Sequence, residues 1–235
     1  MMTDKFNAKE EKKNIHLLAK MYKKTLLDGN FQRWGGVDRG SGWNLKEGIN
    51  YISNFVKGGA FNNIINVDVA AALKHCNDIN DHRSIAYFND VLTKDHEYVS
   101  IDGNNTASFL TSFVDGNEEI KIEHEKYDTP VSFNQLTEDE QDDMKYTEKI
   151  NVVILRDITI DEMCDLFRSL NTSTKLNAQE WRQARISPLS QDIRNYGSDY
   201  KDFFKKFIFT KSADLDKRSH EEMIATMALK LNRDF

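Results

Sequence analysis

The chain reads as an α+β protein, a small mixed sheet with surrounding helices followed by a helical last third. Three observations predict this. Runs at 62–68, 98–102 and 150–156 are rich in Val, Ile or Tyr and too short for helices. Between them, longer stretches space their apolar residues at helical intervals. Beyond residue 158 the strand-like runs stop and helical spacing takes over.

From the N-terminus, residues 8–27 set Ile15, Leu17, Leu18, Met21, Leu26 and Leu27 among lysines, which predicts a helix ending near Asp28-Gly29. FQRWGGVDRGSGW, 31–43, is rich in glycine and predicts a loop. Residues 43–56 (WNLKEGINYISNFV) return to helical spacing, with Asn44 as cap and Gly58-Gly59 as stop. NNIINVD, 62–68, predicts a short strand, and 69–95 predicts one or two helices around the polar break NDINDH. YVSID, 98–102, alternates as a strand does, and 106–113 has the spacing of a helix. EIKIEHE (119–125) and DTPVSF (128–133) alternate like a strand pair. TEDEQDDMK (137–145) predicts a solvated helix or loop, with nothing apolar to order it. INVVILR (150–156) predicts a buried strand, and 159–170 a helix opened by TIDE, a capping-box spacing. Residues 177–185, 190–196, 199–209 and 218–231 are all helical in pattern. The expected organisation is an α+β core with an N-terminal helix over 1–157 and a helical subdomain over 158–235 packed on it as one continuous unit.

With 235 residues, 39% of them hydrophobic, the chain can bury a sizeable core. No apolar stretch nears the roughly 20 residues that span a bilayer, and the N-terminus lacks the apolar core of a signal peptide, so a cytoplasmic protein without a membrane partner is expected. Cys76 and Cys164 stand far apart with no metal-ligand spacing, which predicts buried small hydrophobes rather than a zinc site or a disulfide framework. The net charge of −6 is unevenly spread: 11 Lys/Arg against 6 Asp/Glu in 1–60, 8 against 23 in 61–167, and 13 against 9 in 168–235. Basic ends can grip a polyanion such as DNA, and solvated helix faces account for the same charges.

Chemistry concentrates at IDGNNT, 101–106. A strand-to-helix turn of Asp102-Gly103-Asn104-Asn105 would aim backbone amides and a helix dipole at an anion, although Asp-Gly and Asn are equally ordinary turn residues. Asp102 at a strand end could hold a metal ion that carries nucleotide phosphates, could position a water, or could simply cap the following helix. Arg33, and with less support Arg39, would pair with phosphate from the glycine-rich loop or sit there solvated. Phe31, Trp34 and Trp43 could stack on a base or anchor that loop to the core. In LNTSTKLNAQEWRQA, 170–184, Asn177 and Glu180 have capping-box spacing, while Asn171 and Lys175 could face the same pocket as Asp102. Arg182 and Arg185 are three apart and share a helix face, able to meet phosphate or the acidic middle of the chain.

Three segments in this order resemble one family. FQR, then Trp and a helix ending in Gly-Gly, is similar to the "YQR…W" opening of the family called domain of unknown function 262. IDGNNTASFLTSFVDG resembles its DGQQR strand-turn-helix, and LFRSLNTSTKLNAQEWRQA its "F…N…G…L…E.R.A" element. The likeness runs from about Phe31 to the helix near Arg218. That family is grouped with the ParB and sulfiredoxin-like fold and includes the GmrS part of GmrSD restriction systems.

The resemblance implies an N-terminal domain that binds, and often hydrolyses, a nucleoside triphosphate with Mg²⁺, in a bacterial or phage DNA restriction or modification system. Cutting of DNA would belong to a C-terminal nuclease domain or a partner subunit. This chain stops about where such an N-terminal domain would end, and its six scattered histidines form no His-Asn-His centre. Asp102 becomes the catalytic and metal candidate. Arg33, Gly103, Asn104, Asn105, Thr106, Asn171, Lys175 and Arg182 become the phosphate-binding candidates. Thr106 stands where the family motif has an arginine. Arginine could stabilise charge in phosphoryl transfer, whereas threonine donates one neutral hydrogen bond, so the resemblance implies binding more firmly than turnover. Two competing expectations are a DNA-binding or sensor module without turnover and a phage protein-interaction module that keeps the fold.

Overall fold

In the computed structural model, which describes residues 5–28, 31, 43–59, 63–147, 150–170, 185–208 and 219–231, five strands make one mixed sheet. They are β1 (Lys9–Lys13), β2 (Thr25–Leu26), β3 (Ile64–Asp68), β4 (Tyr98–Asp102) and β5 (Ile150–Leu155), in the order β1-β5-β3-β4-β2. β5 pairs antiparallel with β1 and parallel with β3, while β4 pairs antiparallel with β3 and parallel with β2. β5 is apolar nearly throughout because it is covered on both sides.

Ten described helices complete the fold: α1 (Ile15–Lys23), α2 (Leu45–Val56), α3 (Val69–Asp78), α4 (His82–Thr93), α5 (Asn104–Val114), α6 (Glu138–Tyr146), α7 (Ile160–Leu170), α8 (Pro188–Asp199), α9 (Lys201–Phe207) and α10 (Ser219–Leu231). Strand residues alternate between two cores. Ile65, Val67, Val153 and Leu155 meet Ala72 of α3, Phe88 of α4 and Met163 of α7. Ile64, Ile150, Val152 and Ile154 meet Leu18 of α1, Ile52 of α2, Phe113 of α5 and Met144 of α6.

Local chemistry marks the helix starts. Asn14 accepts the Leu17 N–H at 2.8 Å, and Asp68 accepts that of Ala71 at 3.0 Å. Asn44 with Glu47, and Thr137 with Glu140, form reciprocal capping boxes, and Thr159 with Glu162 exchanges the same bonds ahead of α7. Cys76 and Cys164 are buried free thiols, and burial pushes both above the usual thiol value. Among the described residues, no helix is long and apolar enough to cross a membrane.

The structure departs from the sequence expectations in three places. The helix expected over 8–27 spans only Ile15–Lys23: residues 9–13 form the edge strand β1, since KEEKK has no apolar stripe to bury and its mixed charge suits a sheet edge, and Thr25–Leu26 form β2, drawn into pairing with β4. The segments 119–125 and 128–133 do not form paired strands but meet in one bridge, Ile122 to Val131. Pro130 offers no N–H to extend that ladder, and the segment is instead pinned by Ile120, Ile122, Val131 and Phe133 in the core. Finally, 138–146 takes the helical of the two expected forms, but it is ordered by more than solvation: Met144 is buried, and Glu140 is held by Lys126 at 2.9 Å and by the Tyr127 hydroxyl at 2.8 Å.

Candidate functional site

β4 ends at Asp102, beside Ile65 of β3, and the chain turns at once into α5. Gly103 makes the turn with φ +87°, a left-handed conformation that glycine adopts without penalty. A Cβ there would also lie 2.8 Å from Ile64 Cγ1 and 2.9 Å from its Cα, so backbone packs on backbone at this corner. Being the cap residue, Gly103 offers no side chain to the first-turn amides of α5.

The Asp102 side chain is exposed, and its Oδ1 accepts the Gly103 N–H at 2.8 Å, which folds the carboxylate over its own turn. It therefore braces the corner. Asn104 and Asn105 are half-buried, and Asn104 Oδ1 accepts the Tyr22 hydroxyl of α1 at 3.0 Å. Thr106 is buried, its side chain beside the Tyr51 phenol of α2, so it serves the α2 to α5 contact instead of facing solvent. Burial raises both phenols above their ordinary value, with partial offsets from Ser108 at Tyr22 and Thr106 at Tyr51. Both stay protonated at neutral pH.

Trp43 packs on Tyr51, ring centres 4.9 Å apart, and on Phe109 at 6.2 Å. It thus anchors the start of α2 over α5, close to the first turn that Tyr51 touches. Phe31 is buried against Phe167, centres 5.8 Å apart, which gives it the anchoring role and removes it from any base-stacking surface. Arg33, Trp34, Arg39, Asn171, Lys175, Asn177, Glu180 and Arg182 lie outside the described residues, and Arg185 is exposed.

A metal held here would rest on one carboxylate. Among the described residues, no group of three or more His, Cys, Asp or Glu side chains could hold an ion. Asp102 alone fits the manner in which Mg²⁺ is bound by one carboxylate together with nucleotide phosphates, and not an all-protein cage.

Sequence reasoning missed Tyr22 and Tyr51, whose helical positions read as ordinary apolar spacing. It also missed a partly buried polar knot. The Tyr87 hydroxyl of α4 donates to Asp28 Oδ2 at 2.8 Å, and Arg194 of α8 lies 3.7 Å from Asp28 Oδ1 while donating to Gln191 at 2.7 Å. Burial, then the Asp28 charge, pushes the Tyr87 phenol well above its ordinary value. No family model, curated protein or solved structure matches the chain.

Proposed function

We propose that this chain is a nucleotide-binding domain of the ParB and sulfiredoxin-like kind, which takes a nucleoside triphosphate with Mg²⁺ at the Asp102 to Thr106 turn and serves a DNA restriction or modification system. The observation that carries this reading is the corner itself: a strand ends in an exposed carboxylate, a left-handed glycine turns the chain, and an eleven-residue helix starts directly on that glycine, which has no side chain of its own to offer the first amides. Such amides and the helix dipole suit a phosphate. Asp102 would share the Mg²⁺ with the phosphate oxygens, and Asn104, steadied by Tyr22, would donate to them through its side-chain N–H₂. With a buried Thr106 at that position, no arginine acts from it, which favours binding over turnover.

The test is a thermal melt of the chain and of Asp102→Ala with each of the four nucleoside triphosphates and Mg²⁺. A ligand that binds only the folded state stabilises it by about 2.7 kcal/mol at a hundredfold excess over Kd. A shift in the wild type that disappears in Asp102→Ala supports the reading; no shift with any nucleotide refutes it.

A second reading, a protein-interaction module, is favoured by a different observation. The helices beyond residue 187 leave Tyr196, Tyr200, Phe203 and Phe207 half-exposed or more. Such a module would show no nucleotide-dependent shift.

A further inference from the structure

Apolar side chains on α8 and α9 form a line. Leu189, Tyr196, Tyr200, Phe203 and Phe207 follow one another at spacings of seven, four, three and four, which puts them on one helical face. The repeat carries across the junction, because the Tyr200 N–H bonds to the Tyr196 carbonyl and the Phe204 N–H to that of Tyr200, each at 3.0 Å. Tyr196 and Tyr200 stack with centres 6.4 Å apart, and Phe203 and Phe207 lie 5.2 Å apart. Exposure along the line runs from 50% at Phe203 to 66% at Phe207. Buried Ile193, Gly197 and Phe204 lie on a neighbouring face, so the line is not the surface by which α8 and α9 pack on the rest of the chain.

Four half-exposed aromatic rings and a leucine present on the order of 400 Å² of apolar surface, a patch of the size that marks an interaction site. Charge beside the line is ordered. Asp192 and Asp199 lie along α8, and Lys201, Lys205 and Lys206 along α9 with Asp202. Asp199 and Lys206 are seven residues apart and flank the same side of the line. A two-fold axis between Tyr200 and Phe203 sets Tyr200 against Phe203 and Tyr196 against Phe207, and brings Asp199 of each copy to Lys206 of the other. A nucleic acid would suit a uniformly basic border, which this is not.

We propose that this face is the interface of an antiparallel homodimer, formed by α8 and α9 of two copies across a two-fold axis. This stands independently of the nucleotide reading. Sedimentation velocity of the full chain at rising concentration gives a monomer-to-dimer shift. Tyr200→Ser with Phe203→Ser, both at exposed positions, leaves a monomer with an unchanged circular dichroism melt. Lys206→Glu alone weakens dimerisation by about tenfold, and Asp199→Lys added to it restores dimerisation, because the two sites exchange charge across the axis. This charge-swap series keeps every ring of the line, and both Lys206→Glu and the double variant lack the Lys206 ammonium that stands 5.3 Å over Phe207, so comparing those two decides the matter even if the serine variants misfold. A wild type that stays monomeric at every concentration overturns the proposal. So does a charge-swapped double variant no better than Lys206→Glu, or a monomer that instead binds single-stranded DNA through these rings.

Discussion

The two layers on the sheet and the helices α8 to α10 treat large apolar side chains in opposite ways. On the sheet, Phe88 and Phe113 are fully enclosed, each at 0% exposure, and every face of β3 and β5 is covered. In the last three helices, Ile193, Phe204 and Ala225 are buried, while Leu189, Tyr196, Tyr200, Phe203, Phe207, Met227 and Leu229 all stand exposed. Apolar spacing of the same period therefore has two meanings. In α5 it marks the face that packs, and in α8 and α9 it marks a face that the chain itself does not cover.

The sharpest way to break that contrast is a pair of truncations. Phe113→Ala, which opens a cavity in the core, should cost about 3–5 kcal/mol. Phe207→Ala should stay within about 0.5 kcal/mol in the monomer, as surface changes do. Urea unfolding at low protein concentration measures both, and comparable losses would abolish the distinction. A smaller effect tests how the helical region is fastened. Arg194→Met removes the charged partner of Asp28 and should cost about 2 kcal/mol, with hydrogen exchange accelerating in α8 before it does in β5. Uniform acceleration across both would mean that the knot is no hinge between regions.

The smallest effect lies on the sheet side. The Lys126 ammonium, the Tyr127 hydroxyl and the Thr137 backbone hold the Glu140 carboxyl down to about 2, from an ordinary 4.5. A depressed folded-state value means that the carboxylate stabilises the fold above pH 4.5 and that this contribution fades as pH falls toward 2. Glu140→Gln should therefore narrow the stability difference between pH 7 and pH 3 without altering α8. An acid titration of the melting temperature reads it, and an unchanged pH dependence would count against the pairing.

Much of the fold was legible because local chemistry and burial agree. At β5, INVVILR is apolar on both faces and is a central strand; at α2 and α7, Asn44 with Glu47 and Thr159 with Glu162 announce the starts. The misreadings fell where tertiary context decides. KEEKK carries no signal until β5 lies beside it, and Ile122 alternates like a strand residue because it is an anchor between exposed Lys121 and Glu123. Of the candidate site, the DGNN turn and its glycine could be read from residue types alone. The inward role of Thr106 and the bracing by Tyr22 could not, since both depend on which helices stand next to α5.

Pairing of β1 with β5 has a consequence for how the chain comes to be built. Lys9–Lys13 leaves the ribosome before the other strands of the sheet, yet its neighbour is Ile150–Leu155, the last of the five to be made. The β3 to β4 pair can form early, but the sheet stays open on the β5 side until β5 is made, and closing so long a loop is slow. During that wait the N-terminal strand is exposed to every other nascent chain nearby. Two glutamates among three lysines give it nothing sticky to offer while its place is still being made.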